Sequence, residues 1–378
     1  MTFHRATIIT SAALLALPLA GGCSGSHSDP GSTSSDAPVV TAPSPANQAI
    51  PASHKEWHRL MTKKPTPRGG CFKATHPSTT WEEVPCVAAP SVPLVPSRAG
   101  AGTPALQVGN GAGDYASTVS GTISYAEGSF PYASGLTKEI GLAPGINLPG
   151  SYSLQMNTNT ASGTAACAQG PNAAGCTAWQ QFVYLGDALF LQYWLINYFA
   201  AAPNGASCPS GFSSYDNGYY VGTTIKHQYD CYVSSSSAAN VPSFPAADLP
   251  YIAMAADVSS GDQVTLYYFG QIMAISPSEG SVLHVNQWWN SAEFNVFGPG
   301  YGSAAVFNYG TTMAVETITD SRVPTLAAPS CTSTSYTGEI NNLSAVAGSC
   351  CALGGVGTGT GVFFTQSNVA GAGAVACP

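Results

Sequence analysis

The chain has 378 residues, of which 44% are hydrophobic and only 8% charged, with a formal net charge of −8. So few lysines and arginines exclude a nucleic-acid binder, which needs clustered cations to neutralise phosphates. Abundant Gly and Ser together with 11 cysteines point to an exported, loop-rich protein, long enough to bury one large core or two small ones.

The N-terminus, "MTFHRATIITSAALLALPLAGGC", places one arginine before an apolar segment and small residues, which is the order of an export signal over residues 1–22. The run "LAGGC" resembles a bacterial lipobox, with Ala20 where leucine is usual; Cys23 would then carry lipid, and ordinary secretion fits the same leader. Residues 23–65 read as a Ser/Pro-rich tether and linker, in which the stretch from Ser24 to about Ile50 cannot bury enough surface to fold. Near its end His54 and His58 stand four apart, but without the Glu that a metalloprotease helix needs directly after the first His, so no metal site is expected. Residues 66–106, containing "CFKATHPSTTWEEVPCVAAPSVPLVP", read as a disulfide loop and an extended Pro-rich arm, either a propiece or an extension packed on the body.

From residue 107 to 378 short alternating runs such as "YSLQMN", "WQQFVY", "QVTLYYFGQIMAI", "AEFNVFG" and "GVFFTQS" are separated by Gly, Asn, Ser and Pro. Many short strands with almost no helical periodicity predict an all-β domain, a sandwich or a barrel. No fixed-period repeat suggests a propeller or solenoid. With Cys23 set aside ten cysteines remain, an even set that reads as disulfides. Sequence neighbours suggest Cys71–Cys86, Cys167–Cys176 and Cys208–Cys231. The last four cysteines would share two bridges, with adjacent Cys350 and Cys351 each reaching elsewhere.

The run from Ala188 to Ala202 is apolar and aromatic except for Gln192 and Asn197, and is too short for a membrane helix. Read as a strand, it puts Phe190, Gln192, Trp194, Ile196 and Tyr198 on one face and Leu191, Tyr193, Leu195 and Asn197 on the other. An amide among aromatics needs partners, so Gln192 either joins a structural polar network or faces a cleft. By the same alternation Glu293 shares a face with Asn295 and Phe297, opposite Phe294 and Val296. A serine hydrolase is not expected, because there is no G-x-S-x-G elbow and no nucleophile beside His76, His227 or His284. The tail "LGGVGTGTG" lacks the helix and lysine of a phosphate loop.

Trp179, then "FLQ" entering an aromatic strand, then "AEF" before a glycine-rich turn and "SAAVFNYGTTMAVETI", follow an order that resembles the eqolisins. These are glutamic peptidases on a concanavalin-A-like antiparallel sandwich, and the resemblance covers residues 150–320. It implies that Gln192 and Glu293 are the catalytic dyad, and that Trp179, Trp194, Trp288 and Trp289 line the substrate cleft. A Glu of raised pKa would act on water as base and on the leaving amine as acid while the amide holds the water, each role contributing about 10²–10⁴-fold. The implied activity is acid-acting hydrolysis of extended polypeptide by a monomer without cofactor, touching a membrane only through lipid on Cys23.

Two other readings stay open: a catalytically silent, glycan-gripping sandwich, and a surface-structural protein in which Gln192 and Glu293 are ordinary strand residues. Glu127, Glu139, Glu316 and Asp257 compete for the acid–base role, and a suitably spaced pair would make a glycosidase instead.

Overall fold

A computed structural model describes residues 52–97, 108–109, 113–143, 146–221, 223–321, 329–355 and 358–378. The leader and Cys23 lie outside them. Two antiparallel sheets stack face to face, as period-2 patterning predicts. The chain is an all-β sandwich with disulfide-stapled loops.

The back sheet contains β1 (Gly70–Thr75), β3 (Ile123–Ser134), β8 (Ile252–Asp257), β9 (Gln263–Tyr268), β10 (Gln271–Ser276), β12 (Thr312–Ser321) and β14 (Thr358–Ser367), in spatial order β1-β10-β9-β8-β3-β12-β14. The front sheet contains β2 (Asp114–Thr118), β4 (Ser153–Thr158), β5 (Thr177–Leu185), β6 (Ala188–Phe199), β7 (Tyr229–Ser234), β11 (Ser291–Phe297) and β13 (Ser330–Thr334), in order β7-β6-β5-β4-β11-β2-β13. Between them lies a continuous core that includes Met156, Phe182, Leu191, Phe294 and Val296 from the front and Phe130, Met254, Leu266 and Val315 from the back. Gly128 of β3 faces Phe294 with no room for a side chain, since a Cβ there would stand 1.9 Å from the ring.

Alternation assigned the two faces of β6 correctly as far as Ile196 and failed at Tyr198. Asn197 takes φ 53° and the pairing with β7 shifts register between Leu195 and Phe199. Such a bulge turns the following side chain over, so Tyr198 packs into the inter-sheet core.

The N-terminal region is more structured than a linker. Residues 52–62 form an amphipathic helix, α1 (Ala52–Thr62), that buries Trp57 and Met61, one turn apart, with Ala253, Tyr267 and Ile272 of the back sheet. β1 pairs with β10 over six residues, so the expected disulfide loop begins as a strand of the sandwich. The three expected disulfides Cys71–Cys86, Cys167–Cys176 and Cys208–Cys231 form, and the last four cysteines share two bridges, Cys331–Cys350 and Cys351–Cys377. Among the described residues no helix is long and apolar enough to cross a membrane.

Candidate active site

The front sheet carries an unusual outer face. One register row runs Gln192–Gln181–Asn157–Glu293–Ala116–Thr332 across β6, β5, β4, β11, β2 and β13. Directly paired residues point to the same side, so three buried amides and a buried carboxyl line up on the side away from the core. Gln155 and Asn295 stand one step along the strands, also fully buried.

Glu293 is fully buried and its Oε2 accepts from Asn157 Nδ2 (2.8 Å) and from the Tyr336 backbone N–H (3.1 Å). Burial raises its pKa, opposed by hydrogen bonds from Ser335, Asn157 and Tyr336. Beside it Asp114, also fully buried, is raised well above the usual range, first by burial and then by the Glu293 charge. Asp114 accepts from its neighbour Tyr115 N–H and from Asn295 Nδ2 (3.1 Å to each oxygen). Two adjacent buried carboxyls cannot both ionise readily, so they titrate as a pair that holds one proton beyond the ordinary carboxyl range. Among the described residues Asn157 Oδ1 and Gln181 Oε1 are buried without a hydrogen-bond partner. Buried acceptors left in this state are costly unless a further donor reaches them.

Gln192 is fully engaged elsewhere. Its Oε1 accepts from the Leu94 N–H (2.8 Å) and the Trp194 indole (2.9 Å), and its Nε2 donates to the Val92 carbonyl (2.9 Å) and Ser234 Oγ (3.2 Å). It sits three strand spacings from Glu293, about 14 Å measured along the sheet, with Gln181 and Asn157 in the intervening strands. The two expected dyad members share a face but do not meet, because β5 and β4 stand between their strands. Asn157 is the amide in contact with Glu293.

Trp179 and Trp194 pair across β5 and β6 on the outer face, ring centroids 6.4 Å apart. Trp288 and Trp289 do not join them. Trp289 is fully buried in the inter-sheet core against Phe182, and Trp288 packs partly on that core with its indole bonded to the Leu283 carbonyl. The loop that carries them reaches the core side of the sheet, so they line no outer-face cleft.

The competing carboxylates lie apart from this site. Glu127 and Glu316 are on the outer face of the back sheet, where Glu127 accepts from Tyr125 Oη (2.5 Å) and stands 3.5 Å from His58 of α1. Asp257 lies near Glu127 beneath that helix. Glu139, pushed up to about 8 by burial, belongs to a separate small sheet. Among the described residues no three His, Cys, Asp or Glu side chains cluster as a metal site.

The sequence reading missed Asp114, Asn157, Gln181 and Glu339. Glu339 is buried, pushed up to about 7 by desolvation, and accepts from the Val95 and Gly302 N–H groups. Alternation on "YSLQMN" puts Gln155 and Asn157 on one face, but only the pairing of β4 with β11 sets Asn157 opposite Glu293. No protein-family model matches the chain, and no curated protein matches it.

Proposed function

We propose that this chain is an exported, acid-acting peptide hydrolase whose acid–base centre is Glu293 paired with Asp114. The observation that carries the reading is a buried carboxyl pair of raised pKa set among unpartnered amide oxygens. It lies on the sheet face that also holds an extended backbone segment, residues 90–97.

With one proton between them, Glu293 takes a proton from water as the water oxygen adds to the substrate carbonyl. The proton then passes to the amide nitrogen as the carbon–nitrogen bond breaks. Asp114 holds the shared proton and keeps Glu293 in range for both steps. Asn157 orients the Glu293 carboxylate through its 2.8 Å bond. Gln192 binds peptide backbone through its carboxamide, as it binds Val92 and Leu94. This moves Gln192 from a member of the dyad to a positioning residue. Export accords with the leader order and the five disulfides.

The roles separate kinetically on an unfolded protein substrate in acid. Glu293→Gln should lower kcat by about 10²–10⁴-fold, whereas Gln192→Ala should raise KM and leave kcat close to wild type. Unchanged kcat in Glu293→Gln would refute the assignment.

A further inference from the structure

Residues 90–97 cross the outer face of the front sheet in extended form, held almost entirely through the backbone. The carbonyls of Pro90, Ser91, Val92, Pro93, Val95 and Pro96 accept from Ser234 Oγ, Tyr232 Oη, Gln192 Nε2, Tyr301 N–H, Gly338 N–H and Asn217 Nδ2. The amides of Leu94, Val95 and Ser97 donate to Gln192 Oε1, Glu339 Oε1 and the Tyr336 carbonyl. Pro93, Leu94, Val95 and Pro96 are all buried, Val92 packs on Gly300, and the two aliphatic side chains among the four enter apolar pockets. Leu94, fully buried, sits with Val183, Phe190 and Ala188, and Val95, fully buried, sits with Trp179, Trp194 and Ile196.

The segment leads toward the acid–base centre: the Tyr336 residue that accepts the Ser97 N–H donates its own N–H to Glu293. A packing extension could bury any apolar face. A row of side-chain amides, hydroxyls and turn N–H groups that follows the backbone is the arrangement by which a groove binds peptide of varied sequence, with pockets supplying selectivity.

We propose that residues 90–97 are an internal occupant of a peptide-recognition groove, and that on their withdrawal the groove takes in trans an extended, uncharged peptide bearing two adjacent aliphatic side chains. The groove's own ionisable groups are acidic, Glu339 beside Val95 and Glu293 beyond Ser97, so an acidic peptide is disfavoured. The segment holds the groove closed in cis. Its tether is Cys86, bridged to Cys71 in β1, so release at Leu94 and Val95 leaves the sandwich covalently intact. This deepens the hydrolase reading and rests on it only for the fate of the bound peptide.

The test uses the full disulfide-bonded chain carrying Glu293→Gln, so that the probe is not consumed, with and without Val95→Asp to unseat the segment. The probe is a fluorescein-labelled synthetic peptide of residues 88–97, followed by fluorescence anisotropy. The arm-weakened chain should bind it about tenfold or more tightly than the chain with its own arm, because the groove is no longer mostly occupied. A probe with Asp at the two positions of Leu94 and Val95 should not bind. Equal binding to both chains would overturn the proposal. So would absence of binding to an arm-weakened chain whose residues 92–95 have become cleavable by thermolysin. If Val95→Asp does not fold, Leu94→Ala with Val95→Ala is read in the same way. Binding without hydrolysis of the same peptide extended by four alanines beyond residue 97, in the chain that retains Glu293, would uphold the groove and refute the acid–base centre instead.

Discussion

Gln192 carries four hydrogen bonds and no solvent exposure, which makes it the residue whose loss is felt most locally. Gln192→Leu keeps the volume but leaves the Leu94 N–H and the Trp194 indole without their acceptor. We expect a loss of about 2–5 kcal/mol from two stranded donors, read as a shift of the urea midpoint at constant slope. A loss below about 1 kcal/mol would mean that water or the arm repairs the site. At this scale the sequence exposed the problem and not its solution. An amide in an aromatic strand demanded partners, and those partners come from Val92 and Leu94, nearly a hundred residues earlier. Glu293 was found for the right face, yet its neighbour Asp114 was not, because only the register of β2 against β11 places them diagonally.

Strands were the legible elements, since alternation survives wherever one face is core and the other is not. It broke at Asn197, where a bulge turns Tyr198 into the core, and it missed α1, whose buried large side chains are only Trp57 and Met61 in a polar segment. The position of one glycine is equally a property of the fold. Gly128 lets the two sheets close over Phe294, so Gly128→Ala forces the ring or the strand aside and should destabilise by about 1–3 kcal/mol. Gly354→Ala, whose added Cβ meets only a Thr360 methyl at 3.7 Å, should stay within about 0.5 kcal/mol. Thermal melts of both variants check the contrast, and equal effects would contradict the packing described.

The whole molecule has an unusual acid balance, in that its buried carboxyls shift the same way. Asp114, Glu293 and Glu316 are raised by burial, as are Glu139 to about 8, Asp230 and Glu339 to about 7, and Asp262 to about 6. A raised folded pKa means that the native state binds more protons than the unfolded state, so stability falls as pH rises. These contributions are complete below the ordinary carboxyl range and are lost as pH climbs through the folded values, from about 6 to about 8 for the last four. The melting temperature should therefore decline between pH 5 and pH 8, in contrast to a protein stabilised by salt-bridged carboxylates. A rise over that interval would show that these groups are ionised and solvated. Composition pointed to an exported β protein and the cysteine count to full pairing, but neither could show that a Pro-rich arm lies over the acidic face.

The most direct test of the central assignment is digestion of an acid-unfolded protein by the full chain between pH 2 and 7, with peptides identified by mass spectrometry, beside Glu293→Gln. Leu94→Ala with Val95→Ala provides an arm-weakened chain for the same assay. The account predicts cleavage in acid that is greatest in the arm-weakened chain, falls away toward neutral pH and is absent in Glu293→Gln. Cleavage that persists in Glu293→Gln, or none from the arm-weakened chain at any pH in that range, would contradict it.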